Sequence, residues 1–413
     1  MRRIAICNIL VMVLALWVAV LAVRPASGHP PASQPDARWI DAWATSFLPT
    51  TVNGKPQPAQ AFNNQTLRLI VYSKLGGTQA RVKITNQYTA EPLVIGAVHI
   101  AVRASGGAID PATDHPLTFK GETKVTLPPG GELWSDAVGL VIQQHTDVAI
   151  SVYVPEAYKP TGFHPTGLKT SFIADGNQTA AATLATTGGG RAPRTNQVYL
   201  VSGLQVMAPA STRVIVTLGD SITDGAASAT DANGSWPDIL SQRLPKLPDG
   251  SPVSVINMGI GSNRFVSADQ AGPAGSKRLD DDVLARPNVT HLIIMEGIND
   301  ISYEQVKPEA LIDAYKAAIA KAHAKGIKVF LATLLPIQNS TKDTPANLAT
   351  QQAVNRWIRA GEGFDGVIDF EKVVQDPANP LRIRRDLTGG DFVHPNSAGY
   401  KAMADSIDLD LFK

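Results

Sequence analysis

A serine in Gly219-Asp220-Ser221-Ile222 and an Asp391/His394 pair set three residues apart are the side chains best suited to nucleophilic chemistry in this sequence. A serine hydroxyl is almost never ionised at neutral pH and attacks only with a base beside it. Eight histidines are available for that role. His29 borders an N-terminal apolar segment, and His99, His115, His145 and His164 fall among β-type runs. His291 opens a strand and His323 rides on a helix body, all of them structural or solvated settings. His394 differs, because Asp391 precedes it in a loop that leads into a helix. In a turn, a spacing of three lets a carboxylate accept a hydrogen bond from imidazole Nδ1 while Nε2 faces a serine. Taken alone, the pair reads equally well as an N-terminal helix cap without chemistry.

Acyl transfer also needs donors aimed at the developing oxyanion. Gly297-Ile298-Asn299-Asp300 offers the side-chain amide of Asn299; the competing reading is an Asx-turn that only shapes its loop. Asn257-Met258-Gly259-Ile260-Gly261-Ser262-Asn263-Arg264 has glycines that permit a tight loop with backbone N–H groups facing a ligand. Asp220, Asp224 and Asp300 flank these stretches and read as loop-shaping residues. No His/Asp/Glu spacing suggests a metal site and no loop is built to cradle phosphate, so neither metal nor cofactor is expected.

Each of these stretches follows an element that must position it. Short apolar runs at Arg213 to Leu218, Val253 to Asn257, His291 to Met295, Lys328 to Leu334 and Gly366 to Phe370 alternate with helical segments, the signature of a parallel sheet covered on both faces. Ser235 with Asp238, and Pro237 in the first turn, marks a helix over Trp236 to Leu244. Pro308 opens another, with Leu311, Tyr315, Ala318, Ile319 and Ala322 on one face and Gly326 at its C-terminal end. A last helix follows Pro395 and Asn396. Reactive groups in such sheets gather beyond the C-terminal strand ends, which points to the loops starting near 219, 258, 296 and 336.

The rhythm before residue 207 is different. Runs at Thr66 to Ser73, Ala80 to Thr85, Leu93 to Val102, Val148 to Val154 and Gln197 to Val206 alternate in β fashion. Gly76-Gly77, Pro128-Pro129-Gly130-Gly131 and Gly188-Gly189-Gly190 separate them. These features predict an all-β, sandwich-like domain over 38–206, a linker over 207–212 and an α/β domain over 213–413.

The GDS block, the glycine-rich block, the GxND block and the DxxH block, in this order, resemble the SGNH (GDSL-type) hydrolase family over roughly residues 213 to 413. The resemblance implies a flavodoxin-like, three-layer fold with sheet order 2-1-3-4-5. It also implies Ser221 as nucleophile, His394 as base, Asp391 as its orienter, and Asn299 beside the Ser221 N–H as oxyanion donors. The family's usual oxyanion glycine corresponds to Ser262, which keeps a backbone N–H; Gly261 is the alternative donor. The α/β-hydrolase elbow is disfavoured, since Gly219-Asp220-Ser221-Ile222-Thr223 lacks the second glycine. The N-terminal half is similar to β-domains that precede SGNH domains in secreted arylesterases and xylan-associated acylhydrolases. Its Trp39 and Trp43 suit a core better than a sugar platform.

With 37 basic and 36 acidic side chains, nothing in the charge balance suggests a nucleic acid partner. A neutral small-molecule or polysaccharide ester fits, carbohydrate-linked acetyl esters above all. A lipase-like, lysophospholipase or broad arylesterase activity is the same-chemistry alternative, and a non-catalytic carbohydrate-binding protein the different-class one. Arg2-Arg3, the apolar Ile4 to Val23 and Ala26-Ser27-Gly28 read as a signal peptide over 1–28, hence a secreted or periplasmic protein. The same run is long enough for an uncleaved membrane anchor, the alternative. Cys7, the single cysteine, falls inside it, which leaves the exported part without thiol or disulfide.

Overall fold

Alternating β-branched residues give the N-terminal half its strands: β1 (Ala37–Ala44), β2 (Gln65–Ser73), β3 (Ala80–Thr85), β4 (Ala97–Ser105), β5 (Thr146–Val154), β6 (Ser171–Asp175) and β7 (Val201–Pro209). The computed structural model describes residues 36–52, 55–56, 60–185, 193–267 and 272–413. The signal segment with Cys7 and His29, and the Gly188-Gly189-Gly190 turn, lie outside the described residues. One antiparallel sheet runs β1-β7-β3 with a short edge strand at Glu132–Trp134; the other is centred on β4-β5-β2-β6. Ile40, Val82, Ile84 and Leu204 of the first sheet share one apolar cluster with Leu67, Leu69, Ile100 and Ile150 of the second.

The second half is built on β8 (Arg213–Gly219), β9 (Val253–Gly259), β10 (Val289–Met295), β11 (Lys328–Ala332) and β12 (Gly366–Ile368). They form one parallel sheet in the order β9-β8-β10-β11-β12. Alternation along β8 sends Val214, Val216 and Leu218 to one cluster and Ile215 to another. The first cluster holds Leu311 and Tyr315 of α5 (Pro308–His323) and Val354 and Ile358 of α6 (Pro345–Ala360). The second holds Trp236 and Leu240 of α2 (Trp236–Arg243) and Tyr400 and Met403 of α8 (Ser397–Ser406). Ser235 caps α2 by accepting from the Asp238 N–H, and Asn396 caps α8 by accepting from the Gly399 N–H.

Two features depart from the sequence expectations. Met207–Pro209, assigned above to a linker, belong to β7 and pair with Ala37–Trp39, so only a turn at 210–212 precedes β8. The first apolar cluster also runs without a break from the β-rich half into the α/β half. Polar contacts reinforce that seam. Ser254 Oγ on β9 donates to the Asp41 carbonyl at 2.6 Å, Arg286 pairs with the Asp41 carboxylate at 3.0 Å, and Lys74 pairs with Asp238 at 2.9 Å. The described residues accordingly form one compact unit.

Candidate active site

β8 ends at Gly219, where a Cβ would collide with Thr223 Oγ1 and the Met295 carbonyl. That close approach lets the chain turn at once into α1 (Ser221–Asp224). Asp220 caps this single turn by accepting from the Ile222 N–H at 2.9 Å. Burial pushes the Asp220 carboxyl up to about 6, against the pull of that N–H and of the nearby His394 and Lys342. Ser221 is the first helical residue, so no helical carbonyl takes its backbone N–H.

The loop before α8 brings the partners in. Asp391 Oδ1 accepts from the backbone N–H groups of Val393 and His394, each at 2.9 Å. Oδ2 lies 2.6 Å from His394 Nδ1, and His394 Nε2 lies 2.8 Å from Ser221 Oγ. The helix cap that competed for Asp391 falls instead to Asn396. Burial works against the charge on Asp391, yet the hydrogen bonds from His394 and Val393 hold its carboxyl below the ordinary value. Of the other described histidines, His99 meets Asp114, His145 Ser241, His164 Asp224 and His323 Asp365, and His115 lies on a strand opposite Ile100. His291 is buried against Phe330 and Phe412.

Asn299 sits in the first turn of α4 (Ile298–Glu304), almost completely buried. Its Nδ2 donates to the Asn263 carbonyl at 2.9 Å, and its Oδ1 accepts from Lys342 Nζ at 3.0 Å. Asp300 holds the glycine-rich loop by accepting from the Phe265 and Val266 N–H groups, each at 2.7 Å. Within that loop the Asn263 N–H closes a turn onto the Ile260 carbonyl at 3.1 Å. Ser262 is the third residue of this turn, with φ of 63°. Positive φ at that position is what favours glycine there, and the serine adopts it nonetheless.

Two buried cations in this region carried no sequence signal beyond their loops. Arg278 of α3 (Gly275–Leu279) donates to the Gly219 carbonyl at 3.3 Å, the Met258 carbonyl at 3.0 Å and Asn263 Oδ1 at 2.9 Å. It thereby ties the ends of β8 and β9 to the glycine-rich loop. Lys342 comes from the loop beyond β11, one of the four indicated by strand topology. Asp224 pairs with His164 across the seam at 3.1 Å, as a structural contact of α1. Burial opposes charge on His164, but Asp224 and the carbonyls of Ser46 and Thr166 keep its pKa raised. Among the described residues no three His, Cys, Asp or Glu side chains are grouped to hold a metal ion, and no helix is long and apolar enough to cross a membrane.

A parallel sheet with a hydrogen-bonded Ser-His-Asp series beyond its C-terminal edge defines the class of hydrolases. Residues 217–402 match the model of the GDSL-like Lipase/Acylhydrolase family. Three of the many solved structures similar to this part of the chain illustrate the likeness. They are the aryl esterase of M. smegmatis (16% identity, 47% of this chain and 95% of that one, TM-score 0.39), a member of the lipolytic protein G-D-S-L family from Veillonella parvula DSM 2008 (23%, 47% and 95%, 0.37), and a carbohydrate acetylesterase family member from Sinorhizobium meliloti (14%, 47% and 94%, 0.38). No curated protein matches the chain.

Proposed function

We propose that this protein is an exported serine esterase that removes short acyl groups, acetyl above all, from carbohydrate-linked or other hydroxylated alcohols. Its α/β half would act as a flavodoxin-like, three-layer frame for the site, with the sandwich-like half packed beside it. The observation that carries the proposal is the continuous series Ser221 Oγ, His394 Nε2, His394 Nδ1, Asp391 Oδ2, at 2.8 and 2.6 Å. Ser221 Oγ attacks the ester carbonyl carbon while its proton passes to His394 Nε2. The oxyanion is met by the Ser221 N–H, the Asn299 amide and the N–H of Ser262 or Gly261. Collapse expels the alcohol, which takes the proton from His394. Water then attacks the acyl-enzyme and gives a proton to His394, and collapse releases the acid as Ser221 Oγ takes that proton back.

The Arg2-Arg3 and Ile4 to Val23 segment supports export to the periplasm or medium. Hydrolysis of p-nitrophenyl esters of increasing chain length, run beside acetylated xylan, tests the substrate class. Activity should peak at acetate and include the polymer; a maximum at long chains would favour a lipase-like enzyme. Ser221→Ala should abolish turnover with unchanged circular dichroism, and retained turnover would remove Ser221 as the nucleophile.

A further inference from the structure

We infer that Lys342 is a positioning residue for ester hydrolysis, one that fixes and polarises the Asn299 amide so that Nδ2 presents a strengthened donor to the oxyanion. The inference rests on the proposed role of Asn299. The Asn263 carbonyl can only accept and the Lys342 ammonium can only donate, so together they allow one orientation of the amide: Nδ2 toward Asn263 and Oδ1 toward Lys342. One N–H of Nδ2 is used in this way, and among the described residues the second meets no acceptor, which leaves it for a ligand. A full positive charge on Oδ1 draws electron density from the amide nitrogen, and hydrogen bonds linked in series strengthen one another where water is scarce.

The surroundings of Lys342 fit this role. Its side chain is 8% exposed, an unusual place for a lysine. Its ammonium meets the Asn299 oxygen and the face of Tyr303, with Nζ 4.2 Å from the ring centroid. No carboxylate forms an ion pair with it among the described residues; the buried Asp220 carboxyl feels its charge without pairing with it, so the Asn299 oxygen is the hydrogen-bond acceptor its ammonium meets. The backbone that carries it is braced at both ends of the residue. The Lys342 N–H donates to Ser340 Oγ at 3.0 Å, and Asn347 Nδ2 donates to the Lys342 carbonyl at 2.9 Å. Asn347 belongs to α6, capped by Thr344, which anchors the loop directly to a helix start.

The test is a double-mutant cycle on the full chain, with p-nitrophenyl acetate kinetics and thermal unfolding for each variant. Lys342→Met should lower kcat by about tenfold, less than the loss of the donor itself, and change KM by no more than about twofold. In the Asn299→Ala background the same substitution should have almost no further effect on kcat. If the two losses multiply in full, or if Lys342→Met leaves kcat unchanged, the inference is overturned while the serine mechanism stands. If Asn299→Ala alone leaves kcat unchanged, the oxyanion role of Asn299 fails and this inference fails with it. Should Lys342→Met not fold, Lys342→Gln retains a neutral donor without the charge. A several-fold loss of kcat in that variant supports polarisation, and wild-type kcat refutes it.

Discussion

Replacing Asp391 with asparagine and with alanine should damage the enzyme to different extents, in an order fixed by geometry. Two backbone N–H groups converge on Oδ1, so an asparagine must keep its carbonyl oxygen there and place its NH2 at the Oδ2 position. That NH2 faces His394 Nδ1, which then has to accept, leaving the proton on Nε2 and pointing it at Ser221. The imidazole can no longer act as a base toward Ser221. Alanine imposes no tautomer, and because half of the Asp391 side chain is exposed, water can take its place beside Nδ1. What alanine forfeits is attraction for the imidazolium, roughly 1 kcal/mol at the dielectric of water and about 4 kcal/mol at an effective constant near 20, for charges about 4 Å apart. With exposure favouring the weaker end, kcat/KM of Asp391→Ala should fall about 10- to 100-fold. Asp391→Asn should fall further, toward the roughly 10⁴-fold loss caused by the wrong tautomer in serine proteases. Pre-steady-state release of p-nitrophenol isolates the acylation step, and unfolding curves check that the loop survives. An alanine variant slower than the asparagine variant would refute the tautomer argument, and an asparagine variant within tenfold of wild type would mean that another group orients His394.

Asn299→Ala should reduce kcat by about 10² to 10³ with a smaller change in KM, whereas a change in KM alone would make Asn299 a substrate-binding residue. Glu296 is fully buried, neither of its carboxylate oxygens has a hydrogen-bond partner among the described residues, and burial pushes its carboxyl up from 4.5 to about 8 despite Arg278 nearby. The folded state therefore keeps a proton that the unfolded chain gives up, so the ionisation-linked cost of Glu296 is absent at low pH and grows from about pH 4.5 to about pH 8, by at most about 1.4 kcal/mol per pH unit. The melting temperature of Glu296→Gln minus that of wild type should widen as pH rises from 5 to 8, and a constant difference would contradict it. A chain starting at Ala210 exposes the edge strand β9 and the apolar seam, so it should aggregate or melt far below the full chain; a soluble truncation with an unchanged melting temperature would show the halves to be independent.

The strands of the parallel sheet were legible because burial on both faces makes them continuous apolar runs, and their boundaries shift by only a few residues. Val253 to Asn257 extends to Gly259, and His291 to Met295 begins at Val289. The Leu93 to Val102 run divides at Gly96, where a side chain would strike the ring of Tyr153. The long helix α6 escaped notice for a physical reason. Its buried face carries Asn347, Gln351 and Asn355 among Val354 and Ile358, which blunts the apolar periodicity. Those amides are buried because they satisfy the chain leaving β11: Gln351 and Asn355 donate to the Leu334 carbonyl, and Asn355 Oδ1 accepts from the Leu334 N–H. The loop that delivers Lys342 is thus supported by residues whose polarity hid the helix.

The division into halves was the feature least available from pattern, because what joins them is a set of side chains far apart in the chain. Ser46, from the β-rich half, donates to Asp282 at 2.6 Å, and Asp282 pairs with Arg278 at 2.7 Å. Arg278 in turn holds the carbonyls of Gly219 and Met258 and the side chain of Asn263. Two of these residues bear directly on the proposed chemistry: Gly219 lies two residues before Ser221, and Asn263, held by its side chain, offers its backbone carbonyl to the Asn299 amide. A buried guanidinium must have its donors satisfied, and removing one partner leaves a costly unpaired group. Ser46 thus touches the same side chain that holds the start of the serine loop and Asn263. Periodicity reports which face of an element is buried and local motifs report its caps, but neither reports which carbonyls a distant arginine will hold. For that reason the β-rich half read as an appendage, although its contacts make it part of the framework that sets the geometry of the site.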